Sequence, residues 1–203
     1  MTAPRIAPLD PPYAPDVDAM LRRWMPPGTP FEPLRLFRTL YVHPGLADRM
    51  RPLGAAILGH GLVDPREREL VIHRTCARAG AEYEWGVHAL AFGRPLGLTQ
   101  AQLTATVAGD AADPSWSERD ALLIRLADEL HDSARVSAAL WARLAAVWTA
   151  PQLLELLVIA GWYRLIAYVI AGAGVELEPW APRFPATPPP DRSAPAAAAG
   201  TSG

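Results

Sequence analysis

The stretch DPRERELVIHRTCARAGAEYEWGVH, residues 64–88, decides how this chain is organised. One glutamate–histidine pair with four-residue spacing lies before a glycine in this stretch, and a second pair lies after it: Glu69 and His73, then Gly80, then Glu84 and His88. Outside this stretch the sequence is mostly apolar and helix-compatible, with ordinary surface residues between. We therefore predict that the chemistry of the protein lies within residues 64–88.

The first half of the stretch begins with a strong helix start. Asp64 can cap the helix, Pro65 has a preset φ for the first turn, and Glu67 would complete a capping box. The helix should run to about Ala79, with Gly80 just beyond its end, where a left-handed residue is common.

The second half predicts another helix, from residues 81–82 to around Pro95. A linker this short forces two helices into an antiparallel hairpin. Glu69 lies eleven residues before Gly80, and His88 lies eight residues after it. At a rise of ~1.5 Å per residue, the two differ by only about 4–5 Å along the paired axes. The hairpin can therefore bring Glu69, Glu84 and His88 together.

Two spacings within the stretch allow opposite interpretations. Glu69 and His73 are four residues apart, as are Glu84 and His88, so each pair shares a helix face. Such pairs are often solvated surface contacts worth a few tenths of a kcal/mol. However, both faces also carry apolar residues, which favours partial burial and shifted pKa values. A histidine and a buried carboxylate would then form an acid–base pair.

The rest of the chain predicts an all-α fold, a single domain of about nine helices. Residues 1–15 are rich in proline and should form an extended arm, residues 16–180 the helical domain, and residues 181–203 a disordered tail. Thr99, Ser117, Ser137 and Thr149 each predict a helix start. The expected helices outside the hairpin cover residues 16–25, 31–41, 44–60, 99–109, 118–132, 138–148 and 149–172.

Composition excludes several kinds of chemistry. All nineteen basic residues are arginine, so neither a Schiff-base lysine nor a P-loop lysine is available. Cys76 is the one cysteine, which rules out an intrachain disulfide or a CxxC redox pair. The net charge of −2 gives no reason to expect a nucleic-acid partner.

We expect a cytoplasmic protein with no membrane partner. The first eighteen residues lack the basic start and apolar core of a signal peptide. The longest apolar segment, residues 153–175, is interrupted by Glu155 and Arg164, which indicates a buried helix and not a membrane span.

Other polar residues have less certain roles. His131, three residues after Asp128, is a candidate substrate contact or acid–base group, or alternatively a hydrogen-bonding group near a helix end. Arg74 or Arg78 could hold a substrate carboxylate, although exposed charge is the simpler interpretation. Trp162 and Tyr163 are interpreted as core residues.

The run RELVIHRTCARAGAEYEWGVHALAFGRPLGLT, residues 68–99, resembles the carboxymuconolactone decarboxylase and alkylhydroperoxidase D-like family. The likeness extends through PLRLFRTLYVHPGLADRM upstream and through ADEL, LWARL and QLLELLVIAGWYRLI downstream, over about residues 5–180. It implies the alkylhydroperoxidase D-like helical fold, a homo-oligomer of dimer, trimer or hexamer size, and no organic cofactor.

The peroxidase branch of that family carries a glutamate followed by C-x-x-C-x-x-x-H. On this chain the glutamate is Glu69 and the histidine is His88, while Ala81 and Glu84 stand at the two cysteine positions. Thiol peroxidase chemistry is therefore not expected. The remaining pattern resembles the non-thiol, YEW-x-x-H branch.

The resemblance implies a cofactor-independent lyase or isomerase that acts on a small carboxylated or enolisable compound. His88, Glu84 and Glu69 are the predicted catalytic residues, and Tyr83, Trp85 and His131 the predicted substrate contacts. Two alternatives stay open. Glu69, His73, Glu84 and His88 offer a donor set for Zn, Mn or Fe, or the protein is a non-catalytic oligomer that binds a small molecule.

Overall fold

A computed structural model describes residues 3–25 and 32–186. This part of the chain is all-α, as predicted, with no strand among the described residues. The helices are α1 Pro15–Arg22, α2 Arg35–Leu40, α3 Pro44–Gly59, α4 Pro65–Arg78, α5 Glu82–His88, α6 Gln100–Ala108, α7 Glu118–Ser133, α8 Ala138–Ala145 and α9 Ala150–Ala173. From residue 187 onward, the predicted tail lies outside the described residues. The domain limits stay a prediction.

Helix α4 is the centre of the structure. It packs against α5, α6, α7 and α9, and every residue from Glu67 to Cys76 is buried. Six of these ten residues are polar or charged. Because a buried polar group is costly without a partner, α4 must find its hydrogen bonds on the surrounding helices.

The start of α4 confirms one prediction and corrects another. The Asp64 carboxylate accepts hydrogen bonds from the backbone N–H groups of Arg66 and Glu67, so the predicted cap is present. The predicted capping box is wrong. The carboxylate of Glu67 instead binds the guanidinium of Arg119 and accepts a hydrogen bond of 2.9 Å from the indole of Trp148. A buried carboxylate gains more from these tertiary donors than from its own helix end.

The end of α4 forms the predicted hairpin turn. Gly80 has a φ of 66°. Its N–H donates to the carbonyl of Ala77 at 3.0 Å, and the N–H of Ala81 donates to the carbonyl of Cys76 at 2.8 Å. This is the Schellman pattern, which satisfies the last carbonyls of a helix and reverses the chain. Helix α5 therefore begins at Glu82 and runs back along α4.

Several predicted helices are shorter in the structure. The second hairpin helix was expected to reach Pro95, but α5 ends at His88 and Ala89–Gly93 is π-helical. The N-terminal helix is α1, Pro15–Arg22, and α8 stops at Ala145. The expected helix over residues 31–41 begins later, at Arg35, and residue 31 lies outside the described residues.

Two arginines of α4 tie it to α7 instead of facing a substrate. Arg74 is buried, and its guanidinium donates to both carboxylate oxygens of Asp128, at 2.6 and 3.0 Å. It also donates to the carbonyls of Thr106 and Gly109. Arg78 pairs with Asp128 and with Asp132. Neither guanidinium is available for a substrate carboxylate.

Helix α9 is the one helix in the described part of the chain that is long and apolar enough to span a membrane, judged by length and composition alone. A core helix can satisfy the same test, and half of this segment is buried against other helices. Its outer face exposes four apolar side chains: Leu154, Val158, Leu165 and Tyr168. The expected homo-oligomer stays a prediction.

Replacing Gly80 with alanine should lower the free energy of unfolding by about 1 kcal/mol, because the left-handed backbone conformation is sterically unfavourable for a residue with a Cβ. Nothing lies within 4 Å of the added Cβ, so the cost is purely conformational. Urea unfolding of the variant and the wild type measures the difference.

Gly172→Ala is the matched control. Gly172 lies within α9, and an added Cβ there also meets nothing within 4 Å. Its backbone is helical, so alanine should raise the unfolding free energy by about 0.5–1 kcal/mol. Equal effects of the two substitutions would contradict a left-handed requirement at Gly80.

Candidate active site

The hairpin of α4 and α5 brings two of the predicted catalytic residues into direct contact. Nδ1 of His88 lies 2.8 Å from Oε2 of Glu69, a hydrogen-bond distance. Glu69 is fully buried and His88 is 4% exposed. A carboxylate that accepts a hydrogen bond from Nδ1–H fixes the ring orientation and leaves Nε2 on the opposite side of the ring.

The third predicted residue lies on that opposite side. Oε1 of Glu84 is 3.5 Å from Nε2 of His88, one helical turn away on α5. Its other oxygen, Oε2, is buried and has no hydrogen-bond partner among the described residues. The structure therefore flanks one imidazole with two carboxylates and leaves one carboxylate oxygen unsatisfied.

Arg68 completes the arrangement, and the sequence analysis missed it. Its Nε and Nη2 each lie 3.4 Å from Oε1 of Glu69, and Nη1 donates to the carbonyl of Leu58 at 3.0 Å. Adjacent residues of a helix do not normally face each other, so the spacing gave no signal for this pair. Arg68, Glu69, His88 and Glu84 form a row of alternating charge.

This row determines the protonation of His88. Burial alone would lower its pKa, but the charge of Glu69 and the hydrogen bonds to Glu69 and Glu84 outweigh burial and raise it to about 9. For Glu69, burial acts to raise the pKa, and the charge of His88 together with its hydrogen bond lowers it below the usual value. At neutral pH the site therefore holds an imidazolium beside an ionised Glu69.

Glu84 and His88 form part of the wall of a cavity of about 410 Å³, called here the first cavity. Glu69 does not line it, because it lies behind the imidazole. The wall is mainly apolar and includes Trp24, Leu34, Leu36, Phe37, Leu58, Val87, Ala91, Phe92, Ile166 and Trp180.

Two residues interpreted as core also line the first cavity. Tyr163 packs edge-on against His88, with ring centroids 5.0 Å apart, and Trp162 lies beside it in the wall. Burial, followed by the charges of Glu84 and Glu69, raises the pKa of the Tyr163 hydroxyl well above its usual value. Tyr163 is therefore a neutral phenol next to the imidazole. No spacing within α9 distinguished it from an ordinary core residue.

Tyr83 and Trp85, predicted as substrate contacts, are not in the wall of the first cavity. The Tyr83 hydroxyl donates to Glu178 at 2.7 Å and accepts from the N–H of Leu36 at 3.1 Å. The Trp85 indole donates to the Thr106 hydroxyl at 2.9 Å. Both rings are buried and fully engaged, so the structure places them as supports of α5.

His131 is not brought to the first cavity either. Its Nδ1 accepts a hydrogen bond of 2.7 Å from the guanidinium of Arg164, and it lines a different cavity between α7 and α9. An imidazole nitrogen that accepts from arginine carries no proton. A cationic histidine at the end of α7 is thus not what the structure shows.

His73 lies beside Glu69, with its Nδ1 3.8 Å from the carboxylate Oε2, but it is closer to the backbone of that residue. Nδ1 donates to the backbone carbonyl of Glu69 at 2.7 Å, and burial lowers the pKa of His73 to about 4. Among the residues that the structure describes, no three His, Cys, Asp or Glu side chains are placed to hold one metal ion. The metal-site alternative therefore gains no support from the geometry.

The protein should lose stability as the pH rises from about 6.5 to about 9. The pKa of His88 is raised from 6.5 to about 9 in the folded protein, so its contribution is complete below pH 6.5 and disappears as pH rises through 9. Urea unfolding at a series of pH values measures this decline. His88→Gln should flatten it, and an unchanged decline in that variant would refute the assignment.

His60→Gln is the control, because His60 is exposed and its replacement should leave the alkaline decline intact.

His73 should affect the pH dependence of stability in the opposite direction. Since burial lowers its pKa to about 4, its contribution is present above pH 6.5 and is lost as the pH falls toward 4.

Comparisons with known proteins bear on the family resemblance and on the fold. Residues 44–129 match the model of the carboxymuconolactone decarboxylase family. No curated protein sequence matches the chain. A crystal structure of a cysteine-to-alanine variant of the debrominase Bmp8, in complex with 2,3,4-tribromopyrrole, has a similar fold. It is 16% identical with a TM-score of 0.68, and the match covers 86% of this chain and 91% of that chain. The resemblance to the carboxymuconolactone decarboxylase family is thus confirmed over residues 44–129, the segment that carries Glu69, Glu84 and His88.

Proposed function

We propose that this protein is a cofactor-independent lyase or isomerase that transfers a proton at carbon in a small carboxylated or enolisable compound. The observation that carries the proposal is the unsatisfied oxygen of Glu84. It belongs to a buried carboxylate in the wall of a mainly apolar cavity, and an imidazole nitrogen lies 3.5 Å from its partner oxygen. A carboxylate in such surroundings is a strong candidate for a general base.

Glu84 and His88 would divide the work. In an isomerisation the Glu84 oxygen accepts a proton from one carbon and returns it to another. In a decarboxylation, the electron pair of the breaking carbon–carbon bond forms an enolate as CO₂ leaves. The imidazolium N–H of His88 stabilises the enolate oxygen and supplies the proton that replaces CO₂ at carbon, and the neutral imidazole then takes a proton from solvent. Glu69 does not contact the substrate in this scheme. It holds the ring and keeps His88 protonated.

A thiol mechanism is not part of the proposal. Ala81 and Glu84 stand at the family's cysteine positions, and the single cysteine of the chain, Cys76, is buried in α4 and is not in the wall of the first cavity. Burial, with the charges of Glu84 and Glu69, raises the pKa of the Cys76 thiol well above its usual value. The debrominase Bmp8 is similar in fold only, but the ligand in its complex is a single small ring, and the first cavity has room for such a compound.

Two arginines support a substrate that carries a carboxylate. Arg23 and Arg51 line the first cavity, and the structure shows no ion pair for either among the described residues. Arg51 is the less exposed of the two. A guanidinium without a carboxylate partner at the edge of an apolar cavity is suited to binding a substrate anion.

The test is exchange and turnover of small β-keto acids and lactone carboxylic acids in D₂O, followed by proton NMR. Glu84→Gln keeps the shape of the side chain and removes the base, so the rate of proton exchange at carbon should fall by about 10²–10⁴. The rate of the decarboxylation should fall as the pH rises through about 9, where His88 loses its proton. Wild-type rates in Glu84→Gln would overturn the acid–base assignment. Saturable binding without exchange or turnover would favour a binding protein instead.

Glu82→Gln provides the matched control. Glu82 lies two residues earlier on α5, and its carboxylate accepts a hydrogen bond of 2.9 Å from the backbone N–H of Phe184. It is not part of the first cavity wall. The same change in charge at this position should therefore leave the rate within about twofold, since no transition-state contact is removed.

Arg51→Gln should raise KM for a carboxylated substrate by about tenfold with little change in kcat, because it removes an interaction made equally in the ground and transition states. The neutral amide of the same compound should bind both proteins equally. A fall in kcat at constant KM would place Arg51 in the chemical step and contradict a binding role.

A further inference from the structure

The second cavity, of about 270 Å³, lies between α4, α7 and α9. Thr75, Ala127, Leu130, His131, Ala134, Leu157, Ala160, Gly161 and Arg164 line it. It shares no lining residue with the first cavity, although neighbouring residues of α9 face the two spaces. Trp162 and Tyr163 line the first, and Gly161 and Arg164 line the second.

The polar groups of the second cavity are hydrogen-bond donors. Arg164 donates to Nδ1 of His131 at 2.7 Å, which leaves the proton of the neutral ring on Nε2. Thr75 is 6% exposed, and its hydroxyl has no hydrogen-bond partner in the described part of the chain. A guanidinium, an imidazole N–H and a hydroxyl thus meet around one space with apolar walls.

The charge of Arg164 is not balanced by the protein. Its other contact is with the ring and hydroxyl of Tyr168, and no acidic side chain lines the second cavity among the described residues. The two aspartates whose charges act on His131, Asp128 and Asp132, are already paired with Arg74 and Arg78. An unpaired cation beside an apolar space favours a ligand with one negative charge and an apolar body.

The geometry points to a second ligand site here, one that binds a small monocarboxylate. The carboxylate pairs with the guanidinium of Arg164 and accepts from Nε2–H of His131 or from the Thr75 hydroxyl. The apolar body of the ligand packs against Leu130, Leu157 and Ala160. This assignment does not depend on catalysis in the first cavity.

Gly161 of α9 lines the second cavity and has no side chain to occupy it. A Cβ built on this residue meets nothing within 4 Å, so the space next to the α9 backbone is empty of protein atoms. A larger side chain at Gly161 would enter that space without disturbing the helix. Gly161→Leu therefore adds a bulky side chain to the wall of the second cavity and leaves every charge in place.

Benzoate is the probe, with benzamide as its neutral counterpart. Titrated into ¹⁵N-labelled protein, benzoate should produce saturable shifts of the Thr75 and Gly161 amides with a Kd of about 1 mM, and benzamide should bind about tenfold more weakly or worse. Arg164→Met keeps the apolar stem and should weaken benzoate by at least about tenfold. Arg143→Met removes an exposed charge from α8 and should change nothing at these amides.

The outcomes separate this site from the first cavity. Benzoate shifts that saturate at Gly54 and His88 but not at Thr75 would place the ligand in the first cavity only and overturn the inference. Equal affinity for benzoate and benzamide would also overturn it. Loss of the Thr75 shift in both Arg164→Met and Gly161→Leu, with folded spectra, is the expected result.

Discussion

The buried contact between Glu69 and His88 is the interaction on which the site depends. A carboxylate with no solvent exposure is costly unless a charge and hydrogen bonds compensate it, and here His88 and Arg68 provide both. In return, Glu69 holds the imidazole at one orientation and one protonation state. The position of Glu84 matters only because this orientation directs Nε2 toward it.

The helix that carries Glu69 is held by polar contacts along its length. Glu67 binds Arg119 and Trp148 at its start, and Arg74 binds Asp128 of α7 near its end. Breaking any one of these pairs would leave a buried group without a partner, which is costly. Helix α4 is thus fixed relative to α7, and the turn at Gly80 directs α5 back along it.

Helix α9 lies between the first cavity and the second cavity. Its inner residues, such as Tyr163, contact the imidazole of the first cavity, and the next residue, Arg164, lines the second. Since Tyr163 and Arg164 are adjacent on α9, a ligand in the first cavity and a ligand in the second cavity would both contact this helix. The apolar sequence of α9 predicted a core helix, yet its residues Tyr163 and Arg164 contribute polar groups to the two cavities.

The sequence by itself determined the helical class and the Gly80 turn, and it allowed a meeting of Glu69, Glu84 and His88 that the burial of α4 then decided. These follow from local rules, namely capping residues, helical spacing and the rise per residue. The tertiary structure alone decided which polar residues find partners. It pairs Glu67 with Arg119 and places Tyr163 in the wall of the first cavity. It also buries Tyr83 and Trp85, whose hydrogen bonds hold α5 in place. It also placed His131 beside Arg164. Such pairings join residues tens of positions apart, so no local spacing encodes them, and only the packing of α4 against its neighbours selects them.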